Sequence, residues 1–212
     1  MPGNPQRDYW DAVAGSKRFT HPVDPEWLNG VPCDAAVLDY GCGYGRTLGE
    51  LTSLGFTNLA GVDISPKMIA RARAEHPGPR FGVLQTPPML DLPDASVDMV
   101  LLLAVLTCIP ADVSQRRLVA ELHRVLAPGG RMVVSDLPLQ DDERNQARYA
   151  RFASLHGHGV FETDDGALCR HHSLSWLVDL LAAFHIADTR RVAVPTMNGH
   201  PVTAAQFLAI KS

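Results

Sequence analysis

The chain has 212 residues, 46% of them apolar and 20% charged, with a formal net charge of −4. That length and balance give one ordinary domain with a core of its own and exclude a disordered or fibrous chain, and the acidic net charge argues against the basic surface that tracks a nucleic-acid backbone. Four cysteines, Cys33, Cys42, Cys108 and Cys169, form no C-x-x-C pair and no zinc-ligand spacing, so reduced thiols, no metal and a cytoplasmic location are expected.

Residues 1–8 lack the apolar core of a signal peptide. Residues 6–14 read as a short helix, followed by an approach punctuated by His21-Pro22 and Asp24-Pro25. Short apolar runs then alternate with amphipathic segments, the pattern of βαβ units in a parallel sheet. The first run, 35–39, leads into a glycine loop. The next segment sets Leu48, Leu51 and Leu54 at helical spacing and stops at Gly55. Residues 59–63 form a second strand. Ser65-Pro66 opens a helix, with serine as N-cap and proline in the first turn, where its missing N–H costs nothing. Strands follow over 80–85 and 97–103; the apolar run 99–106 is far short of the about 20 residues that cross a bilayer. Asp112 caps a helix whose Leu118, Leu122, Val125 and Leu126 share one face, and the turn Ala127-Pro128-Gly129-Gly130 leads to a strand over 131–136. The alternation breaks there. Residues 137–172 are polar, charged and rich in histidine, too long for a plain connection. A helix over 173–184 follows, then strands over 187–194 and 203–210 joined through Asn198-Gly199, an antiparallel hairpin for the sheet's edge.

The loop Gly41-Cys42-Gly43-Tyr44-Gly45 sits between the first strand and the helix after it. Its glycines permit a sharp turn and close approach of a ligand, and the helix start offers unpaired N–H groups. A dinucleotide fingerprint would need glycine where Arg46 stands. Asp63 ends the second strand, placed to accept hydrogen bonds from both hydroxyls of an adenosine ribose. Asp39 adds a carboxylate that would repel a pyrophosphate and attract a sulfonium or an ammonium.

Val37-Leu38-Asp39-Tyr40-Gly41-Cys42-Gly43-Tyr44-Gly45 resembles motif I of the class I methyltransferases, which use S-adenosylmethionine. Gly61-Val62-Asp63-Ile64-Ser65-Pro66-Lys67-Met68-Ile69 resembles the segment after it. Residues 94–100 resemble the approach to that family's fourth strand, and 122–130 its helix-to-fifth-strand turn, so the likeness runs in order over 35–136. It implies an α/β, Rossmann-like, doubly wound sheet of seven mostly parallel strands with an antiparallel C-terminal hairpin strand, an N-terminal helix and a lid segment inserted after strand five. All of this forms one domain: residues 1–30 an N-terminal lid, 35–136 the cofactor-binding core, 137–172 an acceptor-side insertion, and 173–212 the last helix and hairpin. It further implies that Gly41, Gly43 and Gly45 pack against the methionine and ribose of S-adenosylmethionine, that Asp63 binds the ribose with Ile64 and Met68 against the adenine, and that Leu103 and Ala104 lie near the methionyl group. Asp39, Cys42 and Arg46 of the loop, with Tyr9, Trp10 and Thr20 of the N-terminal piece, complete the expected cofactor contacts. The family's acidic residue and alanine after strand three are replaced by Gln85-Thr86-Pro87-Pro88-Met89-Leu90. Proline has no N–H to give the adenine, which leaves Thr86, Met89 or Leu90 as substitutes.

Nucleic-acid amino-methylating enzymes of this class carry Asn/Asp-Pro-Pro-aromatic after strand four, where this chain has Leu103-Ala104-Val105-Leu106-Thr107-Cys108. A small-molecule acceptor, methylated on oxygen or nitrogen with no nucleic-acid or membrane partner, is therefore expected. Its contacts are expected from Phe19, Arg144, Arg148, Tyr149, Phe152 and Arg170. His171, His172 or His21 would serve as base, since imidazole titrates near neutrality; the same histidines read equally as structural hydrogen-bonders. A thiol, selenium or arsenic acceptor stays open if the cysteines meet near the methyl, as does a non-catalytic S-adenosylmethionine-binding module.

Overall fold

In a computed structural model that describes residues 5–212, the apolar runs form β1 (Val37–Tyr40), β2 (Leu59–Asp63), β3 (Arg80–Val83), β4 (Val97–Leu103) and β5 (Leu126–Asp136). The helices among them are α1 (Pro5–Val13), α2 (Arg46–Ser53), α3 (Pro66–Glu75) and α4 (Asp112–Val125). Residues 137–172 hold α5 (Glu143–His156) and a small hairpin of β6 (Val160–Glu162) and β7 (Leu168–Arg170). The chain then forms α6 (Leu174–Leu180), β8 (Phe184–Pro195) and β9 (Pro201–Lys211). The seven-stranded sheet runs β3-β2-β1-β4-β5-β9-β8, parallel from β3 to β5, with β9 antiparallel between β5 and β8. This is the expected doubly wound sheet with its C-terminal hairpin. Residues 1–4 of the expected N-terminal lid lie outside the described residues.

Burial on both faces explains why the central strands read as continuous apolar runs. In β4, Val100 and Leu102 pack with Leu118 and Leu122 of α4 and Leu177 of α6, while Met99 and Leu101 pack with Leu48 of α2 and Ile69 of α3. Fully burying a leucine contributes about 2 kcal/mol, so these layers hold the sheet rigid beneath the loops at its carboxyl ends. β1 and β4 are neighbours where the strand order reverses, and such a reversal opens a crevice above the strand ends.

Local details differ from expectation for identifiable reasons. Leu54 follows the helix as its C-cap and is 60% exposed, outside the apolar face of Leu48 and Leu51. Ala111, not Asp112, is the N-cap of α4; the Asp112 carboxylate is drawn away by Arg170. Residues 127–130 lie within β5, but its pairing with β4 jumps from Leu126 to Arg131, so the expected turn survives as a bulge. α6 stops at Leu180 because Phe184 is already paired with Lys211 as the first residue of β8. Ser65 caps α3 as expected, accepting from the Met68 N–H at 3.0 Å. No helix among the described residues is long and apolar enough to cross a membrane.

Candidate active site

β1 carries Asp39 and Tyr40 to the carboxyl edge of the sheet, where the Gly41 and Cys42 N–H groups donate to the Val62 carbonyl at 2.8 and 3.0 Å. Asp63, the last residue of β2, accepts from the Gly43 N–H at 3.0 Å and the Ser65 N–H at 2.8 Å. One buried carboxylate thus ties the glycine loop to the start of α3. Gly43 has φ +53°, and a Cβ there would meet the Phe19 ring at 2.0 Å. That ring stacks on Tyr44 at 5.2 Å between centroids.

A cavity of about 1400 Å³, its open mouth included, lies over these strand ends. β1, β2 and the loop supply Asp39, Gly41, Cys42, Asp63 and Ile64; Arg46 and Met68 follow from α2 and α3, and Leu103 with Ala104 end β4. The N-terminal segment contributes Trp10, Phe19, Thr20 and His21. It is fastened across the opening at several points. Asp11 accepts from the Lys67 N–H at 3.0 Å, the Tyr9 hydroxyl donates to Asp165 at 3.0 Å, and the Thr20 hydroxyl donates to the Pro195 carbonyl at 2.5 Å. Lys17 joins Asp165 to Asn198 at the tip of the β8–β9 hairpin.

Asp39 is buried, and desolvation pushes its pKa up to about 7; Asp63 adds to the rise and the Arg46 guanidinium opposes it. Among the described residues its carboxylate has no hydrogen-bond or ion-pair partner although it faces the cavity. A buried carboxylate without a partner is costly, and a cationic ligand removes the cost. Burial likewise raises Asp63.

Several expected contacts do not line this cavity. Gly43 is covered by Phe19, and a Cβ on Gly45 would meet Phe81 at 2.8 Å, so both glycines serve packing within the chain. Tyr9 turns its hydroxyl to Asp165 and leaves the opening to Trp10, whose ring stands edge-on to it at 4.9 Å. Thr86 is exposed, and the Leu90 N–H is held by Glu121 at 2.7 Å, away from the site. Leu84, which no sequence expectation included, lines the cavity as Ile64 and Met68 do.

On the acceptor side, Arg144, Arg148 and His171 line the cavity. Tyr149 sits behind His171, its hydroxyl 2.6 Å from Nδ1 while it accepts from the Gln140 N–H at 3.1 Å. Phe152 stacks on His156, and Arg170 donates to the Pro110 carbonyl at 2.7 Å and pairs with Asp112; neither reaches the cavity. His172 is buried outside it, a ring nitrogen 2.8 Å from the Gln115 amide. Burial is the first cause in pulling His171 down to about 3, with Arg148 second; it pulls His21 and His172 down to about 4, helped by Arg46 and Arg170 respectively. The premise of titration near neutrality therefore fails for all three, which are neutral rings at neutral pH. His21 has a fixed partner in the Ser135 hydroxyl at 2.8 Å.

Phe161, Thr107, Leu137 and the hairpin tip at Thr196, Met197 and Asn198 also line the cavity and were not anticipated. So do Cys108 and Cys169, while Cys33 is exposed elsewhere. Three of the four cysteines, Cys42, Cys108 and Cys169, thus share the cavity, and burial pushes the Cys108 thiol well up and that of Cys169 up to about 12, which keeps both as thiols in the unliganded chain.

Residues 38–134 match a family described as a methyltransferase domain. The fold that carries this segment is the Rossmann-like one that the motif resemblance implied, and solved methyltransferases share it. Among curated relatives, the chain is 31% identical over 140 residues to carboxy-S-adenosyl-L-methionine synthase of Chromohalobacter salexigens, covering 60% of this chain and 51% of that protein. It is 31% identical over 139 residues to 2-methyl-6-phytyl-1,4-hydroquinone methyltransferase of Synechocystis, covering 63% and 42%. The chain thus spans about half the length of the curated relatives it matches. A solved SAM-dependent methyltransferase of Methanosarcina mazei shares the fold with a TM-score of 0.84 at 24% identity, over 90% of this chain and 99% of that one. The 1,6-didemethyltoxoflavin-N1-methyltransferase of Burkholderia thailandensis, solved with 1,6-didemethyltoxoflavin and S-adenosylhomocysteine, aligns with a TM-score of 0.64 at 19% identity over 97% and 79%.

Proposed function

We propose that the chain is an S-adenosylmethionine-dependent methyltransferase that methylates oxygen or nitrogen of a small molecule. The observation that carries this reading is Asp39: a buried, partnerless carboxylate beside Gly41 and Asp63, facing a cavity at the switch between β1 and β4. That residue set fits the cofactor. Asp63 would hold the ribose, Ile64, Met68 and Leu84 the adenine, and Asp39 with Gly41 and Ala104 the cationic methionyl end. When bound, S-adenosylmethionine supplies an electrophilic methyl group on a sulfonium. The chain's own residues exclude water and set the acceptor in line, which supply much of the acceleration in such a transfer. The N-terminal segment and residues 137–172 act as the lid, joined through Asp165 with Tyr9 and Lys17. Gln140 donates to the Tyr149 oxygen, and with the tyrosine proton on His171 Nδ1 the neutral ring would carry its own on Nε2. In that state His171 positions an acceptor by donating a hydrogen bond, with a pKa too low to serve as a strong base.

Two outcomes test this reading. The Trp10→Ala/Phe19→Ala protein is expected to lose turnover on the order of 100-fold, because the lid edge over the transfer path is gone; unchanged kcat on the native acceptor would remove the lid role. The second concerns pH. Asp39 in the free protein is largely protonated at pH 6, and a cation binds its ionised form. S-adenosylmethionine affinity should therefore rise about tenfold from pH 6 to 8 and level off above. Asp39→Asn should bind more weakly at pH 8 and show no such slope; a wild-type profile that is flat or falls with pH contradicts the assignment.

A further inference from the structure

Arg144 and Arg148 lie four residues apart on α5, and both line the cavity. Like charges at that spacing repel. Among the described residues neither makes an ion pair, whereas Arg170, on the facing hairpin, is neutralised by Asp112. The Arg148 guanidinium lies 4.3 Å from the centre of the Phe161 ring, and its hydrogen bond to Asn145 Oδ1 is long at 3.4 Å. The carboxylates nearby are engaged or turned away. Asp142 holds the Asn145 amide at 2.6 Å, Asp165 is taken by Lys17, Tyr9 and Thr163, and Asp164 does not line the cavity. The acidic groups that do line it, Asp39 and Asp63, belong to the tips of β1 and β2. Burial and then the Arg144 charge lower the Arg148 pKa, as expected for a cation without a counter-ion.

We infer that the methyl acceptor is a small amphipathic acid, its carboxylate or phosphate monoester held by Arg144 and Arg148 and its apolar body set against Phe161 and Met197. A planar guanidinium matches either oxyanion with two parallel hydrogen bonds, and the aromatic face beneath it keeps the fork in place. This inference rests on the methyltransferase reading and names the acceptor class for the same site.

The test uses the full chain saturated with S-adenosylhomocysteine. Calorimetric titration is made with matched sets of aromatic ligands: substituted benzoates against their neutral methyl esters or amides, and phenyl phosphates against their neutral dimethyl triesters. At least one acid is expected to bind about tenfold or more tightly than its neutral partner, and the carboxylate and phosphate arms tell which oxyanion the site takes. Arg148→Gln should bring that ratio close to one. Arg144→Gln, at an exposed helix position that folding tolerates, should lower it part of the way, with S-adenosylhomocysteine affinity held within about threefold in both variants. No acid exceeding its neutral partner, or a preference that survives both substitutions, overturns the inference. So does a loss that falls on S-adenosylhomocysteine instead, since the arginines would then hold the cofactor's own carboxylate. Failure of the wild-type chain to bind S-adenosylhomocysteine at all is a different result and strikes the methyltransferase reading.

Discussion

Asp63→Ala is expected to weaken S-adenosylhomocysteine binding on the order of 100-fold. The carboxylate at the end of β2 has two tasks. It accepts from the Gly43 and Ser65 N–H groups, which shapes the loop, and it lines the cavity, where the remaining lone pairs of its oxygens would accept from ribose hydroxyls. Hydrogen bonds to a charged group contribute about 1.5–3 kcal/mol each, and about 1.4 kcal/mol is a factor of ten. Losing two ribose contacts therefore accounts for the 100-fold without any cost for the slackened loop. Asp63→Asn keeps one acceptor oxygen and should lose about tenfold. Titration of both variants checks this; an alanine variant that binds within about threefold of wild type would mean that the ribose lies elsewhere.

Gly43→Ala should destabilise the protein by roughly 2–5 kcal/mol and collapse turnover with it. At φ +53° an L side chain costs about 1–2 kcal/mol, and the added methyl falls 2.0 Å from the Phe19 ring, an overpacking of about 1–3 kcal/mol. Phe19 cannot yield without unstacking from Tyr44 and releasing the edge of Trp10. Hence the strain passes to the N-terminal segment that closes the cavity. Phe19→Ala in the same chain removes the overlap and should recover the packing share, leaving the backbone share. Denaturant unfolding of the two single variants and the double variant reads this coupling; strictly additive losses would show that the ring does not rest on Gly43.

The parts of this molecule legible from the chain were those whose causes are local. Buried runs such as 97–103 and the Ser65-Pro66 cap carry their own periodicity and turn chemistry. That Asp39, Gly41, Asp63, Ile64, Leu103 and Ala104 line one cavity was legible because each sits at or just past a strand end, and strand ends converge in this topology. Contacts made across the fold were not. The hairpin tip at Met197 and Asn198 reaches the cavity only because β8 and β9 extend beyond the sheet's edge, to Pro195 and from Pro201. Leu84 lines the cavity where Thr86 and Leu90 do not, and the Leu90 N–H is held instead by Glu121 of α4. The histidine-rich segment holds the clearest lesson. In the extended stretch from Leu168 to His172, Cys169 and His171 face the cavity, while Arg170 and His172 face Asp112 and Gln115. Side chains of an extended chain alternate, so adjacent histidines cannot share one role there. A period of two along 168–172 was the signal that could have separated them.

Whether the cavity between β1 and β4 holds S-adenosylmethionine is tested most directly by calorimetric titration of the full chain with S-adenosylmethionine and S-adenosylhomocysteine. One molecule of either should bind per chain, and binding of both should fall sharply in Asp63→Ala. No heat of binding from either ligand at any pH between 6 and 8, with the chain folded, would contradict it.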